Sequence, residues 1–136
     1  LNYNSYVVWS ADGQLAFTSE NHLYVWDGET TVLVSSLFDD YMYRFAPAWS
    51  ANGRLAFSVN DSDNYEIFLW DHGELINLSQ NPGIDVLPAW SADGRLAFSS
   101  DRDGNHEIYV WDDGVLTNAS QTPGNEYFAV WWMPAP

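Results

Sequence analysis

The residues closest to a reactive or metal-binding arrangement are Asp101-Arg102-Asp103-Gly104-Asn105-His106-Glu107, where side-chain oxygens alternate along one loop. Alternating oxygens suit a hard cation such as calcium. An EF-hand would need glycine at the sixth position, where His106 stands, and a helix where Ile108-Tyr109-Val110-Trp111 follows. The corresponding stretch one repeat earlier moves its acids to Asp61 and Asp63. A hairpin loop held by Asx turns fits both stretches better, so no cofactor is expected and calcium is the one ion the pattern leaves open. Glu66 and Glu107 occupy equivalent places, and paired carboxylates can hydrolyse glycosides. Neither has a pocket residue that would raise its pKa, so a solvated strand start is expected, with pairing to Arg102 or a central channel as alternatives. His22, His72 and His106 are not equivalent by repeat, which argues against a three-histidine metal site. No serine stands in a Gly-x-Ser-x-Gly elbow. Ser10, Ser50 and Ser91 recur after successive tryptophans, whereas a nucleophile should occur once. The chain is therefore expected not to be an enzyme.

Charge narrows the partners. Four arginines and no lysine stand against 19 acidic residues, for a net charge of −15 over 136 residues. Nucleic-acid binding draws on Lys and Arg neutralising phosphates, so no nucleic-acid partner is expected. An anionic membrane surface is disfavoured for the same reason. No apolar run approaches the roughly 18 residues of a spanning helix, so no membrane insertion is expected. No charged-then-apolar leader opens the chain, although one removed ahead of Leu1 would leave the same start. The acidity keeps an aromatic-rich chain soluble. With no cysteine there is neither a disulfide framework nor a thiolate zinc site, which fits an oxidising compartment.

The elements that hold these residues are repeats. Residues 87–114 contain the fullest copy; FAPAWSANGRLAF at 45–57 and VVWSADGQLAF at 7–17 repeat its first half. The lead tryptophans Trp9, Trp49, Trp90 and Trp131 follow one another at 40 or 41 residues, the mark of a blade or solenoid. Each repeat reads as four short strands. A first strand carries the tryptophan, and a turn at Asp12-Gly13, Asn52-Gly53 or Asp93-Gly94 predicts a type I′ hairpin. A second strand holds Leu-Ala-Phe, a third ends at Trp26, Trp70 or Trp111, and a fourth follows another glycine turn. No segment sustains a helical period, so the chain is all-β. In an up-and-down meander the short turns share one face. The longer connections share the other: 19–22, 60–66 and 101–107 inside repeats, with 36–47, 80–88 and 121–128 between them. Loop variation on a rigid scaffold is where binding usually resides.

The motif PAWSADGRLAFSSDRDGNHEIYVW resembles the repeat of TolB-type β-propellers, a WD-like family, and recurs across nearly the whole chain. The first repeat departs from it, with a shorter second hairpin and no Asp-rich loop, and the fourth stops after one strand. The resemblance implies a β-propeller of four-stranded antiparallel blades and a non-enzymatic interaction scaffold, or a propeller attached to a peptidase. It also suggests a periplasmic or secreted location, which the residues themselves leave unknown.

Blades are expected near 6–44, 45–85 and 86–127, with an extra first strand at 128–133. Propellers usually close with about four to eight blades. Three alone would leave aromatic sheet sides wet, so the ring is expected to be completed by self-association. A homodimer making six blades is favoured over a trimer, and a piece of a longer propeller is the alternative. Tyr6, Trp9, Phe128, Trp131 and Trp132 are the expected seam. The ligand face is expected to use Tyr41, Tyr43, Arg44, Asp61, Asp63, Asp101, Asp103, Asn105 and Tyr127, since aromatics and arginine are typical interface anchors. Its partner would be a protein or, in a lectin-like reading, a carbohydrate.

Overall fold

A computed structural model describes residues 6–20, 22–34, 46–61 and 64–132, with the backbone alone at Asp61. The described chain is all-β and forms three four-stranded antiparallel sheets, each a simple meander. The first contains β1 (Val7–Trp9), β2 (Leu15–Ser19), β3 (His22–Trp26) and β4 (Thr31–Leu33). The second contains β5 (Ala48–Trp49), β6 (Arg54–Asp61), β7 (Asn64–Asp71) and β8 (Glu74–Asn77). The third contains β9 (Asp85–Trp90), β10 (Leu96–Ser100), β11 (Glu107–Asp112) and β12 (Val115–Asn118).

The core lies between sheets. Ala16, Leu23 and Val25 of the first sheet meet Leu55, Phe57 and Val59 of the second, with Tyr6, Val8, Trp49 and Trp70 around them. Ala56 and Ile67 of the second meet Leu96, Phe98 and Tyr109 of the third, beside Trp90 and Trp111. Period-2 alternation produces this: successive residues of each second strand point to opposite neighbours. Each fully buried Leu or Phe contributes about 1.5–3 kcal/mol. The small alanine at the centre of each second strand lets the flanking sheets come close.

Three local expectations are corrected. The first turn of each repeat is not type I′, because among its residues only the glycine has positive φ: +90° at Gly13, +80° at Gly53 and +92° at Gly94. Gly13 N–H donates to Ser10 O and Ser10 N–H to Gln14 O, a three-residue loop ending in a left-handed glycine. Type I′ geometry occurs at the second turns instead, where His72 and Gly73 (+48°, +95°) and Asp113 and Gly114 (+44°, +93°) are both left-handed. In the second sheet the expected long loop 60–66 is mostly strand, with Asp61 paired to Asn64 across a tight hairpin. The third sheet breaks at Ser100 and keeps the loop 101–106. Finally, β9 starts at Asp85, well before Ala89. A register shift opposite residues 97–99 leaves Pro88 unpaired, so the strand passes through a residue with no N–H to give.

Candidate functional site

The most informative constellation is built on the lead tryptophans. Trp49 Nε1–H donates to Val8 O at 3.1 Å, Trp90 Nε1–H to Ala48 O at 3.0 Å, and Trp131 Nε1–H to Ala89 O at 2.8 Å. Each indole therefore binds the carbonyl just before the preceding lead tryptophan, so each blade is riveted to the one before it. A second contact accompanies the later two. The Arg54 guanidinium lies 4.7 Å over the Trp90 ring and donates to Gly94 O, and Arg95 lies 4.8 Å over Trp131. Gln14 holds the matching place in the first sheet. Within its own sheet each lead tryptophan meets the third-strand tryptophan edge to face: Trp9–Trp26 at 6.3 Å, Trp49–Trp70 at 6.4 Å, Trp90–Trp111 at 6.5 Å.

The two ends break this series in opposite ways. Trp9 is 61% exposed and no described blade precedes it. Trp131 is riveted, yet residues 128–132 form no strand. The expectation of a first strand there is corrected: the segment takes the place of one, but among the described residues no second strand lies beside it to complete a ladder. Phe128, Val130 and Trp132 are 80%, 93% and 82% exposed. Of the expected seam residues, Trp9 and Trp131 thus lie at opposite ends of the series. Tyr6 stays with the first sheet, its N–H donating to Thr18 Oγ1.

The recurring serines are turn residues. Ser10, Ser50 and Ser91 each accept the N–H of the residue four positions on and donate to Asp12, Asn52 or Asp93. The Ser10 hydroxyl, then the Gln14 amide, hold the Asp12 pKa below its ordinary value; the Ser91 hydroxyl, then Arg95, do so for Asp93. Asp27 is lowered by the N–H groups of Thr30 and Glu29, which it caps at the first sheet's second turn.

On the long-loop face, Tyr41, Tyr43, Arg44 and Asp63 lie outside the described residues, as does the side chain of Asp61. The others are brought close along the chain but aim at different partners. Asp101 accepts from Ile84 N–H, Asp103 from the Tyr109 hydroxyl, and Asn105 donates to Thr122 O and Gly124 O. Tyr127 packs 4.7 Å from the His106 ring. Burial first, and the Asp103 carboxylate second, push the Tyr109 hydroxyl up to about 12. Arg102 does not meet Glu107; it donates to the fully buried Asp85 at 3.1 Å and lies 4.7 Å over Tyr109. Glu107 is buried and accepts from Asn118, and Glu66 accepts from Asn77 in the same way. The solvated strand start expected for Glu107 is corrected: the carboxylate is buried and the Asn118 amide satisfies it. His22, His72 and His106 bond to Glu20 O, Asp71 and Ser99 respectively and do not converge. Among the described residues no group of three His, Asp or Glu is placed to hold a metal ion.

The arginine-over-tryptophan contact and the tryptophan-to-carbonyl rivet went unread in the sequence. Their signal was present: an arginine follows Trp49 and Trp90 at the same spacing, and a small or branched apolar residue precedes every lead tryptophan.

The fold is shared by solved structures. TolB from Acinetobacter baumannii matches with a TM-score of 0.65 at 24% identity, over 87% of this chain and 33% of that one. A putative TolB from Agrobacterium tumefaciens matches with a TM-score of 0.72 at 22% identity, over 88% of this chain and 47% of that one. The β-propeller domain of the Trilobed protease from Pyrococcus furiosus, which has an open velcro topology, matches at 0.64 and 15% identity, over 88% and 40%. The chain thus spans less than half the length of each. No curated protein matches its sequence. The model of the TolB beta propeller domain matches residues 7–135, nearly the whole chain, and the chain belongs to that family.

Proposed function

We propose that the chain is a non-catalytic interaction module whose three blades are half of a ring that a second copy completes. One observation carries this reading: among the described residues the riveted series is open on each side, Trp9 being 61% exposed with no described blade before it and Trp131 being riveted to Ala89 O with no described sheet around it. The face that in the second and third sheets packs on the preceding blade is, in the first, made of Trp9, Leu15, Phe17, Tyr24 and Trp26. Such a face favours burial against a like surface. Ligands then meet the long-loop face, where Asp101, Asp103 and Asn105 hydrogen-bond the loop to its neighbours and Tyr127 stays exposed.

Light scattering across a concentration series tests the reading. The expected result is a species of twice the 15.4 kDa chain mass. A single-chain mass at every concentration would overturn it.

A second reading has its own support. Because the chain covers 33% and 47% of the two TolB chains, it also suits a segment of a longer propeller, and the match to the propeller domain of a protease extends this to one attached to a hydrolase. Finding further blades or a catalytic domain in the same open reading frame would favour that reading.

A further inference from the structure

We infer that residues 128–132 of one copy serve as the innermost strand of the other copy's first blade, displacing β1 from β2. This rests on ring closure by a second copy and adds which strand closes the ring.

The argument starts from the contacts that define a lead tryptophan in this fold. Trp90 has all of them: a carbonyl from the preceding blade, an arginine over its ring, and a third-strand tryptophan at its edge. Trp131 has the first two, from Ala89 and Arg95. Trp9 has only the last, from Trp26. The tail therefore already occupies the place on the third blade where the next blade's first strand belongs. A second copy that docked with β1 intact would bring Trp9 to a carbonyl that Trp131 already holds.

What the tail needs, the first sheet of another copy provides. In the register Val8↔Ala16 and Trp9↔Leu15, Val130 would face Ala16 and Trp131 would face Leu15 of the second copy. Trp131 would then meet Trp26 of that copy. Val130 O would receive the indole N–H of Trp49, which Val8 O accepts now. The junction repeats one that the chain builds internally between its own blades.

Two stretches compete for this one slot, Tyr6-Val7-Val8-Trp9-Ser10 and Phe128-Ala129-Val130-Trp131-Trp132. The β-ladder is exchanged nearly one for one, so apolar area decides. Phe128 and Val130, 80% and 93% exposed, would enter the cluster where Tyr6 and Val8 pack now. The exchange returns to water a stretch with a phenol and a serine in place of one with a phenyl and a second indole. The cost is the Ser10 turn, which needs a continuous chain from first strand to second. The tail is also anchored upstream of the slot: Glu126 N–H donates to His106 O and Ser99 Oγ–H to Glu126 O.

Variants of the full chain, with mass followed against concentration, decide the matter. Trp131→Ala removes the central aromatic of the seam and should raise the dissociation constant about 30-fold or more. Val130→Pro deletes one ladder donor while leaving the Trp131 indole in place, and should raise it about tenfold. Trp9→Ala weakens only the stretch that the tail displaces, through its contact with Trp26, and should leave the constant unchanged or lower it. Thermal melts of the same samples separate lost association from lost folding, and if Trp131→Ala does not fold, Val130→Pro decides. A dimer weakened by Trp9→Ala but indifferent to Val130→Pro would overturn the exchange and leave ring closure by a second copy standing. A chain that remains single at all concentrations would overturn both.

Discussion

Asp85 shows how single residues carry weight in this fold. Its carboxylate is fully buried, yet Arg102 and Asn81 satisfy it, and Arg102 in turn covers Tyr109. Removing one partner of a buried pair leaves the other charge uncompensated. Asp85→Ala is expected to cost about 3 kcal/mol and lower the melting temperature by roughly 10 °C, read by calorimetry. Titration adds a second test. With its pKa raised from 10.0 to about 12, Tyr109 stays protonated in the fold after the unfolded chain has begun to ionise. Its contribution is complete below pH 10 and is lost as pH rises towards 12; Tyr109→Phe should flatten alkaline melting curves over that window. The lowered carboxyls act with opposite sign: Asp12 and Asp93 contribute above their ordinary 3.8 and lose that contribution as pH falls through their lower folded values. Asn52 makes the same serine bond without titrating. Asp12→Asn with Asp93→Asn should therefore fold normally at neutral pH and lose less stability in acid. In the sequence, the alternating oxygens of residues 101–107 were legible as a structured loop, but not their targets. Ile84 and Thr122 meet that loop only once the chain has folded back on itself.

Among the elements, the turns carry the sharpest lesson. Asp-Gly and Asn-Gly mark a hairpin wherever they occur, but the type depends on what flanks them. A serine one residue after the tryptophan bonds back to the fourth residue on, and this favours the three-residue loop. Where no such serine stands, His72-Gly73 and Asp113-Gly114 close with two residues. At Gly73, with φ at +95°, an added Cβ would touch nothing. Gly73→Ala is thus expected to cost about 1–2 kcal/mol through backbone strain alone, read by chemical denaturation. The strands themselves were legible because short runs rich in apolar, β-branched and aromatic residues recur between glycine turns in each repeat. The limits of β6, β7 and β9 were not, since ladder pairing rather than local pattern extends them through Asp61 and back to Asp85.

For the molecule as a whole, charge and aromatic packing pull in opposite directions. In the proposed dimer, two chains of net charge −15 would repel each other while their apolar sheet flanks would be buried together. Added sodium chloride screens the first effect and leaves the second in place. Association should therefore tighten between about 0.05 and 0.5 M sodium chloride, the reverse of a seam held by ion pairs; sedimentation across that range checks it. From the sequence alone follow the blade period, the all-β class, the glycine turns and the family, because strand alternation and turn chemistry are local and are repeated three times over. Only the tertiary structure could show that Trp131 is already riveted to Ala89 while Trp9 stands uncovered. Both tryptophans occupy the same place in the repeat, and what separates them is which neighbour lies across the junction, a relation between residues about forty positions apart.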